Sequence, residues 1–185
     1  MECIVYESNT GFTKQYAEML SEAVGLPALP MVQAVSKIPR GTEIFFLGWV
    51  CGGKITGLPI AEKRFIVEAV AAVGIVYPHP DVTAELLKLN KLSCPLFYLQ
   101  GGVEPKKLGY FKRKILSMIA QNLERQENKT AAVWDLADTL RIGGSYVSQA
   151  NLEPVISWVK ENEVKEDLSL CDESLVGILN PKKNV

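Results

Sequence analysis

Histidine is nearly absent: one residue, His79, in a chain of 185. That scarcity removes Ser-His-Asp and Cys-His catalysis except through His79 itself. It stands in the rigid stretch Tyr77-Pro78-His79-Pro80 with no nucleophile beside it in sequence. Cysteine is also sparse. The four residues, at 3, 51, 94 and 171, form no C-x-x-C pair, and with a single histidine no zinc site is expected. Cys3, Cys51 and Cys94 lie in or beside apolar segments. They are expected to be reduced, buried thiols that behave as small hydrophobes in a cytoplasmic protein. No apolar run approaches the ~18–20 residues of a membrane-spanning helix. The first residues, Met1-Glu2-Cys3-Ile4-Val5-Tyr6, lack the basic region and longer apolar stretch of a secretory signal, so none is expected. An excess of charge is missing too. The 20 Lys and Arg against 21 Asp and Glu leave a net charge of −1, which argues against a protein that coats nucleic acid.

What remains is an ordinary globular composition, 48% hydrophobic and 22% charged, in a length suited to one domain with a full core. Short apolar runs alternate with longer helical patterns. Residues 3–7, 28–32, 43–48, 71–77 and 95–100 read as strands, with Pro30 marking 28–32 as an edge. The run 43–48 is apolar throughout, as a strand covered on both faces should be. Helices are expected over 14–24, 59–69, 81–89 with Asp81 as N-cap, 106–125 and 151–161. This alternation predicts an α/β fold, a parallel sheet with helices on both faces and ligands at the carboxyl ends of the strands. The domain is placed at 1–161. Residues 162–185 form a C-terminal extension of undefined structure.

The loop after the first strand carries the strongest chemical signal. Ser8-Asn9-Thr10-Gly11-Phe12-Thr13 sets three hydroxyls, an amide and a glycine before a helix. Free N–H groups and the positive helix end suit an anion, hydroxyls add donors, and Gly11 lets the backbone come close to a ligand. No Lys or Arg lies inside the loop, and neutral donors suffice for one terminal phosphate ester. The pattern is neither G-x-x-x-x-G-K-[ST] nor G-x-G-x-x-G. Read alone, it is either a phosphate site or a hydroxyl-rich helix cap.

The S-x-T-G-x-T pattern directly after the first strand resembles the phosphate-binding loop of the flavodoxins. The resemblance continues in Trp49-Val50-Cys51-Gly52-Gly53 after the third strand and Tyr77-Pro78-His79 after the fourth, where that family carries its two flavin-contacting loops. It implies a doubly wound five-stranded parallel sheet of order 2-1-3-4-5 with FMN at the switch point. By the same resemblance, Ser8, Asn9, Thr10, Gly11, Phe12 and Thr13 wrap the phosphate. Trp49 and Tyr77 face the ring, or else pack in the core. Gly52 and Gly53 turn a carbonyl toward flavin N5, or else form a simple tight turn. Val50, Cys51, Pro78 and His79 complete the binding set, and His79 is the first candidate for a proton donor.

The function so implied is electron transfer through a non-covalent flavin, with a redox partner protein or a small-molecule acceptor. Residues 99–119, from Leu99-Gln100-Gly101-Gly102 into a Tyr/Lys/Met-rich helix, resemble the flavodoxin-like protoporphyrinogen dehydrogenases, an alternative activity. A flavin-free interaction module on the same fold is a third reading. Electron-shuttling flavodoxins are usually strongly acidic, and this chain is not. Residues 104–125 hold six Lys or Arg and two Glu, a balance of +4, while 163–173 is acidic. This layout speaks against docking through one acidic face and leaves the basic helix open to peripheral contact with a membrane surface.

Overall fold

The strands are apolar on both sides because each side meets a different helical layer. In β1 (Cys3–Glu7), Ile4 and Tyr6 enter one core cluster and Cys3 and Val5 the other. In β3 (Glu43–Cys51), Phe45 and Leu47 alternate with Ile44 and Phe46 in the same way. A period of two with both phases apolar is the mark of a sandwiched sheet. The computed structural model describes residues 1–125 and 130–162. The remaining elements are α1 (Phe12–Val24), β2 (Ala28–Pro30), α2 (Met31–Lys37), β4 (Lys54–Ile55), α3 (Leu58–Arg64) and β5 (Ile66–Gly74). They continue with α4 (Pro80–Asn90), β6 (Leu96–Gln100), β7 (Gly102–Val103), α5 (Tyr110–Glu124), α6 (Ala131–Ile142) and β8 (Gly144–Ser145). A last helix, α7, is described over 149–162.

The main sheet runs β2-β1-β3-β5-β6 with every neighbour parallel, and β4 turns back antiparallel on the end of β3. Tyr16, Ala17 and Leu20 of α1 and Leu152, Val155, Ile156 and Val159 of α7 fill the first cluster. Phe45, Phe97 and Trp158 meet there with ring centroids 6.0–6.3 Å apart. Met31 and Ala34 of α2, Leu58 and Ala61 of α3 and Leu86 of α4 fill the second. The molecule is therefore α/β with a mostly parallel central sheet and helices on both of its faces.

Several boundaries differ from those read in the sequence. The strand expected at 28–32 ends at Pro30, and α2 starts at Met31, an element the sequence reading lacks. Pro30 cannot donate to a ladder, but its φ of −65° suits a helix entrance. The helix expected at 59–69 stops at Arg64, and the strand expected at 71–77 is β5, starting at Ile66. The run through 66–74 is rich in alanine and valine and fits either state, so pairing with β3 decides it. His79, not Asp81, caps α4, its ring Nδ1 accepting from the Asp81 amide at 3.3 Å. The C-terminal extension called from 162 lies, beyond Asn162, outside the described residues, as does Cys171.

The basic helix expected over 106–125 divides into a 3-10 turn at Pro105–Lys107 and α5. With α6, which the sequence reading lacks, α5 forms a helical pair between β7 and β8. These two strands join as a short antiparallel ribbon. Ala120 of α5 and Ala137 and Leu140 of α6 make a third small core with Leu116, Leu123, Leu136 and, from the loop after β5, Ile75. The pair therefore meets the body of the protein at the carboxyl end of the sheet. Among the described residues no helix is long and apolar enough to cross a membrane.

Candidate functional site

The crossovers on either side of β1 lie on opposite faces of the sheet. α1 packs in the first core and α2 in the second. Strand order therefore reverses between β1 and β3, and the loops leaving those strands flank the switch point, where doubly wound sheets bind ligands. Residues 8–13 lie on one side of it. Gly11 adopts φ +103°, the left-handed region, and nothing stands within 4 Å of where its Cβ would be. Among the described residues the amides of Thr10, Gly11, Phe12 and Thr13 have no acceptor. They sit at the positive end of a helix of 13 residues. Ser8 Oγ accepts from the Lys14 amide at 3.3 Å, which leaves its O–H to donate elsewhere. Asn9 is exposed, Thr10 half-buried and Thr13 buried. Lys14 pairs with Glu18 at 3.4 Å, so the nearest cation in sequence is engaged one turn along the helix. Phe12 contributes its amide but not its ring, which packs against Gly102 just past the end of β6.

The second expected loop, 49–53, is a β-hairpin. β3 runs past the sheet to Cys51, Gly52 and Gly53 turn with φ +55° and +75°, and β4 returns. Two successive positive φ values define the tight turn that matches strand twist, and glycine adopts them without a Cβ clash. Asn90, the last residue of α4, clamps the hairpin. Its Nδ2 donates to the Gly53 carbonyl at 2.9 Å and its Oδ1 accepts from the Ile55 amide at 3.0 Å. The Gly53 carbonyl is thus committed; of the glycine pair, only Gly52 keeps a carbonyl without a partner among the described residues. The expectation that Cys51 is buried is corrected: it is exposed, because β3 outruns the covering helices. Cys3 and Cys94 fit that expectation better, and burial raises both thiol pKa values. Val50 and Trp49 are half-buried. One face of the Trp49 ring carries the Lys112 ammonium, 5.2 Å from its centroid.

The third loop, 75–79, is mostly open to solvent. Tyr77 is 67% exposed, so it is not a core residue. Pro78 is exposed, and His79 Nδ1 lies 3.1 Å from Asp81 Oδ2. Tyr98 O–H holds the start of this loop by donating to the Val76 carbonyl at 2.9 Å. Burial pushes the Tyr98 pKa up to about 12. The unfolded chain, with an ordinary tyrosine pKa of about 10, releases that proton first as pH rises. This contribution is whole below pH ~10 and is lost between pH ~10 and ~12, on the order of 2 kcal/mol. Alkaline unfolding curves should show a smaller loss over that window in Tyr98→Phe than in the parent.

The end of β6 closes the site from the other side. Fully buried Tyr16 donates to the Gln100 carbonyl at 2.7 Å, and Asn151 Nδ2 donates to the Tyr16 oxygen at 3.0 Å and to the Tyr146 carbonyl at 2.8 Å. This chain of bonds fastens α1, and with it the amide-rich loop, to β6 and α7. Neither Asn90 nor Asn151 nor Lys112 is visible as a site residue in the sequence. Each acts on a segment far away in the chain, and no local motif marks it. Compared with known proteins, the chain matches no protein-family model and no curated protein.

Proposed function

We propose that this chain is a flavodoxin-like redox protein that binds one FMN without a covalent bond in the crevice between β1 and β3. The observation that carries the reading is the row of four unengaged amides, Thr10 to Thr13, at the amino end of α1. The donor set suits a phosphate ester: unengaged N–H groups lie on the same short loop as the hydroxyls of Ser8 and Thr10 and the side-chain amide of Asn9, and Gly11 leaves room for close approach. With the two-residue β4 set aside, the parallel strands follow one another in the order 2-1-3-4-5, which supports the flavodoxin-like reading over other doubly wound sheets.

FMN would supply the electron-transfer chemistry; the protein supplies binding, orientation and exclusion of water. The loop residues 8–13 would hold the phosphate by neutral hydrogen bonds. Trp49 and Tyr77 are the aromatic surfaces offered to the ring. Lys112 already covers one face of Trp49, so the ring would meet the other face or the ammonium itself. No side chain of the crevice stands as a dedicated acid or base. His79 Nδ1 accepts from the Asp81 amide, so its role is to cap α4.

The test is titration of the purified chain with FMN, read by quenching of flavin fluorescence and by the visible spectrum of the protein as isolated. Stoichiometric uptake of FMN, with no comparable uptake of riboflavin lacking the phosphate, is the expected result. A chain that takes up neither would be a flavin-free interaction module. Turnover of a porphyrinogen by the loaded protein would favour the dehydrogenase reading.

A further inference from the structure

We propose that α5 lays one face on a lipid bilayer that bears anionic headgroups. Leu116, Ala120 and Leu123 turn toward α6 and form the small third core. A helix with that one duty should be polar elsewhere. Instead Phe111, Ile115, Met118 and Ile119, at spacings of four, seven and eight, make a second stripe about a third of a turn around the helix from the first. They are exposed by 80%, 56%, 56% and 44%, and no described element packs over them. Tyr110, 67% exposed, adds a second ring beside the stripe's amino end, edge-on to Phe111 with centroids 5.8 Å apart. Large apolar side chains gathered on one exposed face mark a contact surface.

Charge selects the partner. The two acids of 104–125 are already engaged, Glu104 with Lys107 at 2.7 Å and Glu124 with Arg141. Among the described residues Lys106, Arg113, Lys114 and Arg125 have no carboxylate partner. By helical spacing Lys114 and Arg125 flank one edge of the apolar stripe and Lys112, its ammonium over Trp49, the other. An apolar and aromatic stripe bordered by cations is the design of a helix lying in the plane of an anionic interface. Rings and aliphatic chains enter the acyl boundary while ammonium and guanidinium groups meet phosphates. A second copy of the chain fits worse, since pairing this face with itself would set one basic border against another.

The experiment is flotation of the purified full-length protein with vesicles of phosphatidylcholine alone and of phosphatidylcholine mixed with phosphatidylglycerol. Binding to the mixed vesicles and much weaker binding to the neutral ones is expected, declining as salt is added. Phe111→Glu combined with Met118→Glu should lower the bound fraction by about tenfold or more, since it removes the aromatic anchor and adds two like charges to the lipid's. Lys114→Gln with Arg125→Gln should lower it by about fivefold per cation on mixed vesicles only. All four positions are exposed, and circular dichroism of each variant checks that the fold is kept. Absence of binding to mixed vesicles overturns the proposal, as does equal binding to both vesicle types. A dimer in solution that Phe111→Glu disperses would also overturn it and assign the stripe to a second copy.

Discussion

Replacing Thr10 with Asp is expected to lower FMN affinity by about a thousandfold, roughly 4 kcal/mol, while making the FMN-free protein more stable. The two effects have opposite signs because one charge meets two different neighbours. Against a phosphate about 4 Å away, a carboxylate at an effective dielectric of ~20 is repelled by about 4 kcal/mol per unit charge. Against the unengaged amides at the start of α1, the same carboxylate is attracted, by roughly 0.3–1 kcal/mol. Thr10 is half-buried and its amide has no acceptor among the described residues, so the substituted side chain sits at both. Flavin fluorescence reads the first effect, and urea unfolding of the FMN-free protein reads the second. Weaker flavin binding caused by unfolding would lower both quantities together. If affinity is unchanged while stability rises, the loop is a helix cap and FMN, where it binds, lies elsewhere.

The largest effect on stability is expected from Phe45→Ala, a loss of about 3–5 kcal/mol. Phe45 is wholly buried on the central strand β3. Its ring meets Phe97 of β6 and Trp158 of α7, with centroids 6.3 Å and 6.0 Å away. Truncation therefore opens a cavity among three elements, of which β3 and β6 cannot close it without leaving the sheet register. For a chain of this length each kcal/mol corresponds to about 2–4 °C, so the melting temperature should fall by roughly 6–20 °C. Calorimetry of the two proteins decides it. A fall of only a degree or two would mean that α7 does not pack on this face. That would remove the link through Asn151 to Tyr16 and the amide-rich loop.

How much of this could be read beforehand follows from range. The runs CIVYE and EIFFLG are apolar in both phases, so their burial between two layers was legible from composition alone. The hydroxyl-rich stretch 8–13 was legible too. Its chemistry is local: a glycine able to reach φ +103°, donors on adjacent residues and a helix immediately after. The hairpin at 49–55 was half legible. Gly52-Gly53 signalled a turn, but only the arrival of Asn90 from another helix decided that the Gly53 carbonyl would be occupied.

The amino-acid order by itself determined the alternation of buried strands and amphipathic helices and the position of the amide-rich loop, because those depend on neighbours within a few residues. Tertiary structure alone decided where β5 begins, that α2 follows Pro30 directly, that Lys112 lies on Trp49, and which stripe of α5 is left open. Each of these is settled by a partner distant in the chain. The run around 66–74 has comparable energy as helix or strand until β3 offers hydrogen bonds. Either stripe of α5 could be covered until α6 takes one.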